Sequence, residues 1–272
     1  MFRPASGRST IRPLVSLLPS SLAGDKILVA LATILLADSN SHVIRTARGS
    51  VYFIFMLTRV DQTVEDSLEV LDAIRPLSLR HIGFKDIGVG PAVLQELNRR
   101  IKAQGAISYL EVVGTTPEAC LRSVRVGREI GVDRLLGGTD ADAALRIIEG
   151  SGIDYYPFPG FPHGHPTVLG GGPEEVAAHC KAFVAKGCAG VDLLAYRATD
   201  AEPLDLVRAA RRALGGHTLI VAGSVDQPAR IEALADAGAD AFTIGSAVFN
   251  GTFSPRKGAL VSQLRDVLAA CG

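Results

Sequence analysis

The 272-residue chain has no excess of either charge: Lys plus Arg number 28, as do Asp plus Glu. A nucleic-acid surface needs a basic excess, so nucleic acid is not an expected partner. No C-x-x-C pair occurs among Cys120, Cys180, Cys188 and Cys271, which removes zinc knuckles and thioredoxin-type motifs. Small buried or surface thiols in a reducing compartment are the expectation, and with it a cytoplasmic location. No apolar run is long enough for a bilayer. The longest, residues 27–37, is too short to span one, so no membrane partner is expected. No G-x-G-x-x-G follows the first β-rich run, so a dinucleotide fold lacks its fingerprint and no cofactor is expected.

Residues 1–24 hold Arg3, Arg8 and Arg12, several serines and no acid. Transit peptides and basic signal segments share that composition. No small-x-small cleavage site follows the apolar run. The reading adopted is an N-terminal extension, residues 1–49, that is dispensable for chemistry, ahead of one domain over 50–272.

What the chain does contain is a repeat of β-rich run, polar turn and helical spacing. The runs are 51–58, 81–86, 107–113, 133–138, 153–158, 190–196, 218–223 and 240–245. Between them, helical spacing covers 63–75, 91–104, 117–130, 140–149, 173–186, 202–214 and 228–237. Pro91, Pro117, Pro173, Pro203 and Pro228 stand where a first helical turn tolerates a missing N–H. Strict alternation means parallel strands joined by crossover helices. Eight units predict an α/β protein, a (β/α)8 TIM barrel, with a doubly wound open sheet as the alternative.

The last two runs carry a ligand signal. In "VAGSVDQPARIEALADAGADAFTIGSAVF", residues 221–249, each run ends in Gly-Ser: Gly223-Ser224 and Gly245-Ser246. Barrel active sites lie at the C-terminal strand ends, and the loops after strands seven and eight often hold phosphate. Glycine lets backbone N–H groups come close to phosphate oxygens. The other reading is that small residues merely permit tight turns. This stretch resembles the ribulose-phosphate-binding barrels, which include the histidine-pathway phosphoribosyl isomerases and N-acetylmannosamine-6-phosphate 2-epimerase. The resemblance implies a phosphate-binding barrel and a small phosphorylated metabolite as ligand. It leaves the reaction open among isomerases, epimerases, synthases and decarboxylases. The Asp-x-Lys-x-x-Asp pattern of the decarboxylase branch is absent.

Charges inside strands are costly unless they reach the mouth or are paired. Lys85 in "HIGFKDIG", Glu111 in "YLEVVG" and Asp192 in "GVDLLAYR" are therefore the candidate catalytic groups. Lys85 and Asp86 are adjacent, so only one of them points inward. Lys85 and Glu111 form either an active-site pair or a buried salt bridge that sets register. Asp61, Thr139, His163, His165 and Arg197 are candidate substrate-binding residues at strand ends and in the long loop after the fifth run. Asp140 either touches ligand beside Thr139 or, like Asp142, only caps the next helix. The His-Gly-His spacing lacks a third ligand nearby, so no metal is expected. Three glycines before Pro173 offer a small anion nest. The expected activity is isomerisation or epimerisation of a small phosphorylated sugar-like carbonyl compound by proton transfer. The rivals are a Schiff-base aldolase or synthase using Lys85, and a non-catalytic phosphometabolite-binding barrel. Assembly as a homo-oligomer is left open.

Overall fold

A computed structural model describes residues 51–112, 114 and 116–271. The extension 1–49 and its apolar run lie outside the described residues. Eight parallel strands appear where the repeat places them: β1 Tyr52–Met56, β2 His81–Lys85, β3 Ile107–Val112, β4 Arg134–Gly137, β5 Asp154–Tyr156, β6 Gly190–Leu193, β7 Thr218–Val221 and β8 Ala241–Ile244. The ladder order is β6-β7-β8-β1-β2-β3-β4-β5, a cyclic version of chain order. Its two ends meet. The amides of Ala189 and Asp192 donate to Tyr155 O and Pro157 O at 3.0 Å each, which closes the ring between β5 and β6. An open doubly wound sheet would leave two edges there, so the barrel is the fold.

The helices are α1 Ser67–Ile74, α2 Pro91–Ala103, α3 Pro117–Ile130, α4 Ala141–Ile148, α5 Pro173–Ala185, α6 Pro203–Leu214, α7 Pro228–Ala237, α8 Ser246–Phe249 and α9 Leu260–Ala270. All five prolines occupy first-turn positions. The first helix starts at Ser67 rather than 63, because Thr58–Arg59 pairs antiparallel with Gln62–Thr63. A second hairpin, Phe161–His163 with Val168–Gly170, organises the long loop after β5. The four cysteines are free thiols, two of them buried.

Alternation along each strand makes two cores. Phe55, Phe84, Leu110, Leu135, Leu219 and Phe242 face the helices. Ile54, Met56, Tyr109, Leu136, Tyr156 and Ile220 fill the barrel itself. At the N-terminal end a polar plug closes the interior. Arg134 Nη1 donates to Tyr109 OH at 2.7 Å and Tyr52 OH at 3.3 Å, and its guanidinium lies over the Tyr109 and Tyr156 rings. His81 stacks on Tyr52 at 4.5 Å and meets Tyr109 OH at 2.9 Å. Among the described residues, the cavity that reaches the interior opens at the C-terminal mouth.

Burial, and then the charges of Arg134 and Arg80, push the His81 imidazole down to about 4. The native state thus holds His81 neutral where the unfolded chain takes up a proton. Stability is lost as pH falls from about 6.5 toward about 4, to a limit of roughly 3 kcal/mol. His81→Phe keeps a ring on Tyr52 and removes the titration. Urea midpoints at pH 7 and pH 4.5 should therefore separate less in the variant than in the wild type. Equal separation would assign the acid sensitivity elsewhere.

Candidate active site

Lys85 ends β2 and points into the barrel, its side chain 4% exposed. Asp86, one residue on, points the other way and accepts a hydrogen bond from Ser123 of α3 at 2.7 Å. Glu111 is the register partner of Lys85 on β3. Lys85 Nζ lies 2.9 Å from Asp61 Oδ1 and 3.4 Å from Glu111 Oε1. The pair expected from the sequence is therefore a triad, with the ammonium between two carboxylates.

Asp61 arrives on the turn of the first hairpin. Thr63 clamps that hairpin to the end of β2: its Oγ1 accepts from Lys85 N–H at 2.8 Å and donates to Lys85 O at 2.7 Å. Both turn residues have positive φ, 50° at Val60 and 58° at Asp61. Two-residue hairpins of this kind prefer Asn-Gly, and a β-branched residue there is strained. Val60 is 79% exposed, so its side chain recovers nothing by packing. The strain holds the Asp61 carboxylate on Lys85. Val60→Asn should relieve about 1 kcal/mol and raise the melting temperature by roughly 2–4 °C. Scanning calorimetry that shows no rise would mean the turn is relaxed as it stands.

Burial alone would push the Asp61 carboxyl up, but Lys85, Arg197 and His165 together hold it below its ordinary value. Asp61 is thus a permanently ionised counter-ion. Arg197 sits in the short turn Ala195–Arg197 after β6, 3.7 Å from Asp61, and donates to Thr167 O at 3.2 Å. It also lies against Gly223, where a Cβ would come within 2.4 Å of its Nε.

Asp192 faces the interior from β6. It has no solvent exposure, and neither carboxylate oxygen has a hydrogen-bond partner. Burial, and then the nearby Glu111, raise its carboxyl well above the ordinary value, which favours the protonated form. It lies below the cavity floor and forms no part of the walls.

The cavity above has two lobes that share Asp61, Lys85, Glu111, Leu194 and Arg197. The first, about 270 Å³, is walled by Gly223, Ser224, Gly245 and Ser246, with Thr58, Thr243 and Asn250. Gly223 and Ser224 have φ of 79° and 57°. A Cβ on Gly245 would lie 2.7 Å from Thr58 O, so only glycine fits. Among the described residues, the amides of Gly223, Ser224 and Gly245 donate to no protein acceptor. Ser246 Oγ accepts from Val60 N–H at 3.2 Å. The second lobe, about 260 Å³, is walled by Thr116, Cys120, Thr139, Phe158, His163 and His165. Asp140 also reaches this wall while capping α4 through Ala143 N–H at 3.0 Å.

All the candidate residues except Asp192 thus line one cavity. His163 engages Phe161 O at 2.9 Å, and no group of three metal-ligating side chains is present among the described residues. The glycine nest before Pro173 is corrected: Gly171 N–H and Gly172 N–H already donate to Asp200 and Glu175, each at 2.9 Å, so the protein's own carboxylates fill it. Thr63, Thr167 and Asn250 were not legible as site residues, since nothing local in the sequence separates them from ordinary loop polars.

No protein-family model and no curated protein matches the chain. Solved structures do. One described as "Native KDPGal structure" aligns at 12% identity over 81% of this chain and 96% of its own, with a TM-score of 0.57. Orotidine 5′-phosphate decarboxylase from Pyrococcus horikoshii OT3 aligns at 14% identity over 79% and 99%, with a TM-score of 0.53. At such identities the likeness is one of fold. It agrees with the (β/α)8 barrel described above. Among the described residues no helix is long and apolar enough to cross a membrane.

Proposed function

We propose that the chain is an enzyme that moves a proton beside the carbonyl of a small sugar phosphate, as an isomerase or epimerase. The observation that carries this reading is the Lys85 ammonium set between Asp61 and Glu111 where the two lobes join. The two carboxylates are not equivalent. Asp61 is hydrogen-bonded to Lys85 and held ionised, which makes it a counter-ion. Glu111, at 3.4 Å, is the freer base. In this reading the substrate carbonyl oxygen lies against Lys85, which stabilises the developing enolate. Glu111 takes the proton from the adjacent carbon and returns it to the former carbonyl carbon, while Lys85 gives a proton to the former carbonyl oxygen and takes one from the neighbouring hydroxyl, which becomes the new carbonyl. One base reaching both carbons suffices for isomerisation. Epimerisation needs a second donor on the opposite face, and ionised Asp61 is a poor one. Schiff-base chemistry needs Lys85 Nζ free to attack a carbonyl carbon, and here it is engaged by Asp61 and Glu111. The phosphate ester named for one of the fold relatives supports a phosphorylated substrate.

The test is solvent exchange. A panel of aldose and ketose monophosphates in D2O, followed by NMR, should show deuterium entering the carbon beside the carbonyl of at least one. Glu111→Gln should abolish it. Binding without exchange would favour a non-catalytic phosphometabolite-binding barrel, and a borohydride-trapped adduct on Lys85 would favour the aldolase or synthase.

The phosphate belongs in the first lobe, on the free amides of Gly223, Ser224 and Gly245. Gly245→Asp is a poor probe because any side chain there meets Thr58 O. Ser224→Asp is a better one. Its φ of 57° suits Asp, so the turn survives while a negative charge enters the cradle. Affinity for inorganic phosphate should fall by about 100-fold with an unchanged circular-dichroism spectrum. Unchanged calorimetric affinity would move the phosphate elsewhere.

A further inference from the structure

We infer that the far end of the ligand, beyond the reactive carbon, is an uncharged hydroxylated chain, and that a second phosphate or a carboxylate is excluded there. This rests on the proposed placement of one phosphate in the first lobe and deepens it.

The argument is an inventory of the second lobe. Its Lys and Arg cations are Lys85 and Arg197, both shared with the first lobe, and the imidazoles of His163 and His165 also line it. Lys85 is already held by Asp61 and Glu111, and Arg197 by Asp61 and Thr167 O. Against them stand the carboxylates of Asp61, Glu111 and Asp140. Asp140 is engaged by the Ala143 amide, and among the described residues no cation forms an ion pair with it, Lys186 behind it being paired with Asp142. The corresponding acid of the first lobe, Asp226, is neutralised by Arg230 at 2.9 Å. The two halves therefore differ in sign: the first offers free amides, the second an unbalanced carboxylate. A ligand anion in the second lobe would meet that carboxylate at a rim open to solvent, where repulsion persists at contact range although water and salt screen part of it.

The remaining groups of the second lobe suit hydroxyls. The Thr139 and Thr167 hydroxyls and the His165 imidazole line it without a hydrogen-bond partner among the described residues. Each both donates and accepts, as an alcohol does. Phe158, Pro162 and Leu194 supply apolar wall for the carbon chain between the hydroxyls. The Cys120 thiol is turned to Gly114 O at 3.1 Å and leaves that wall neutral.

The experiment is calorimetric titration of the full chain at pH 8 with four probes: inorganic phosphate, ribulose 5-phosphate, fructose 1,6-bisphosphate and 6-phosphogluconate. Ribulose 5-phosphate should bind about 10-fold tighter than inorganic phosphate, because its tail meets the second lobe. The bisphosphate and the phosphorylated acid should bind about 30-fold more weakly than ribulose 5-phosphate. Asp140→Asn retains the helix cap, since Asn caps as well as Asp, and removes the unbalanced charge. It should narrow the gap to 6-phosphogluconate by about 10-fold. Tighter or equal binding of either doubly anionic probe by the wild type, or an unchanged gap in Asp140→Asn, overturns the inference while leaving the phosphate site standing. Failure of inorganic phosphate and every ester to bind overturns the phosphate site and this inference together.

Discussion

Lys85→Met should lower the rate of deuterium exchange into the bound sugar phosphate by about three orders of magnitude or more, since it removes the one cation set to meet the developing enolate. Two effects must be separated in that variant. The ammonium is 4% exposed and sits between carboxylates that are 21% and 13% exposed. Removing it leaves those carboxylates facing each other. A fully buried broken pair costs about 3–5 kcal/mol, and residual solvent at Asp61 and Glu111 lowers that figure. Asp61 keeps Arg197 at 3.7 Å, whereas Glu111 loses the one cation paired with it. Lys85→Met with Glu111→Leu should accordingly recover most of the lost stability and none of the exchange. Binding of inorganic phosphate should persist in both, because the first lobe relies on backbone amides. A single variant that exchanges within tenfold of the wild type, or a double variant that regains exchange with stability, would reduce Lys85 and Glu111 to a register-setting pair.

The barrel was legible because its signals are local. β-rich runs, five first-turn prolines and the Gly-Ser ends of β7 and β8 each need only a few neighbouring residues to be read. The pairing of Lys85 with Glu111 was legible too, since parallel strands in register bring equivalent positions side by side. What stayed hidden depends on shape at longer range. The first hairpin turns on Val60 and Asp61, residues that local turn chemistry argues against at positive φ, so "TRVDQT" reads as a strand end reaching the mouth or as the start of a helix, and not as a hairpin. The glycines before Pro173 read as an open nest until Asp200, some thirty residues on, folds back to occupy one amide. Arg197 reads as a strand-end cation, but its placement against Gly223 comes from the turn after β6. For Asp192 the strand pattern gives the direction, inward, and leaves the depth open. Depth is set by the stagger of the closed barrel, which no single strand encodes.

Asp192 is where stability and function are most sharply opposed. Its carboxyl is fully buried, lacks any hydrogen-bond partner and is pushed toward the protonated form first by burial and then by Glu111. A carboxyl whose folded pKa is raised carries no pH-dependent cost below the unfolded value near 4, only the fixed cost of burying an unpaired polar group. Above it, the unfolded chain releases a proton that the folded chain retains, so the cost grows as pH rises toward the folded pKa. Asp192→Leu should therefore be more stable than the wild type, by about 1–3 kcal/mol at pH 8 and by distinctly less at pH 4.5. Chemical denaturation at the two pH values measures this directly, and a gain independent of pH would mean that Asp192 is not held protonated. The same variant asks what the residue is kept for. The acid lies below the floor, near enough to Glu111 and Lys85 to be influenced by their charges. If it carries or stabilises protons for Glu111, exchange in D2O should fall although the protein is more stable. Full exchange in a stabilised Asp192→Leu would remove Asp192 from the catalytic set and leave the chemistry to Lys85, Glu111 and Asp61.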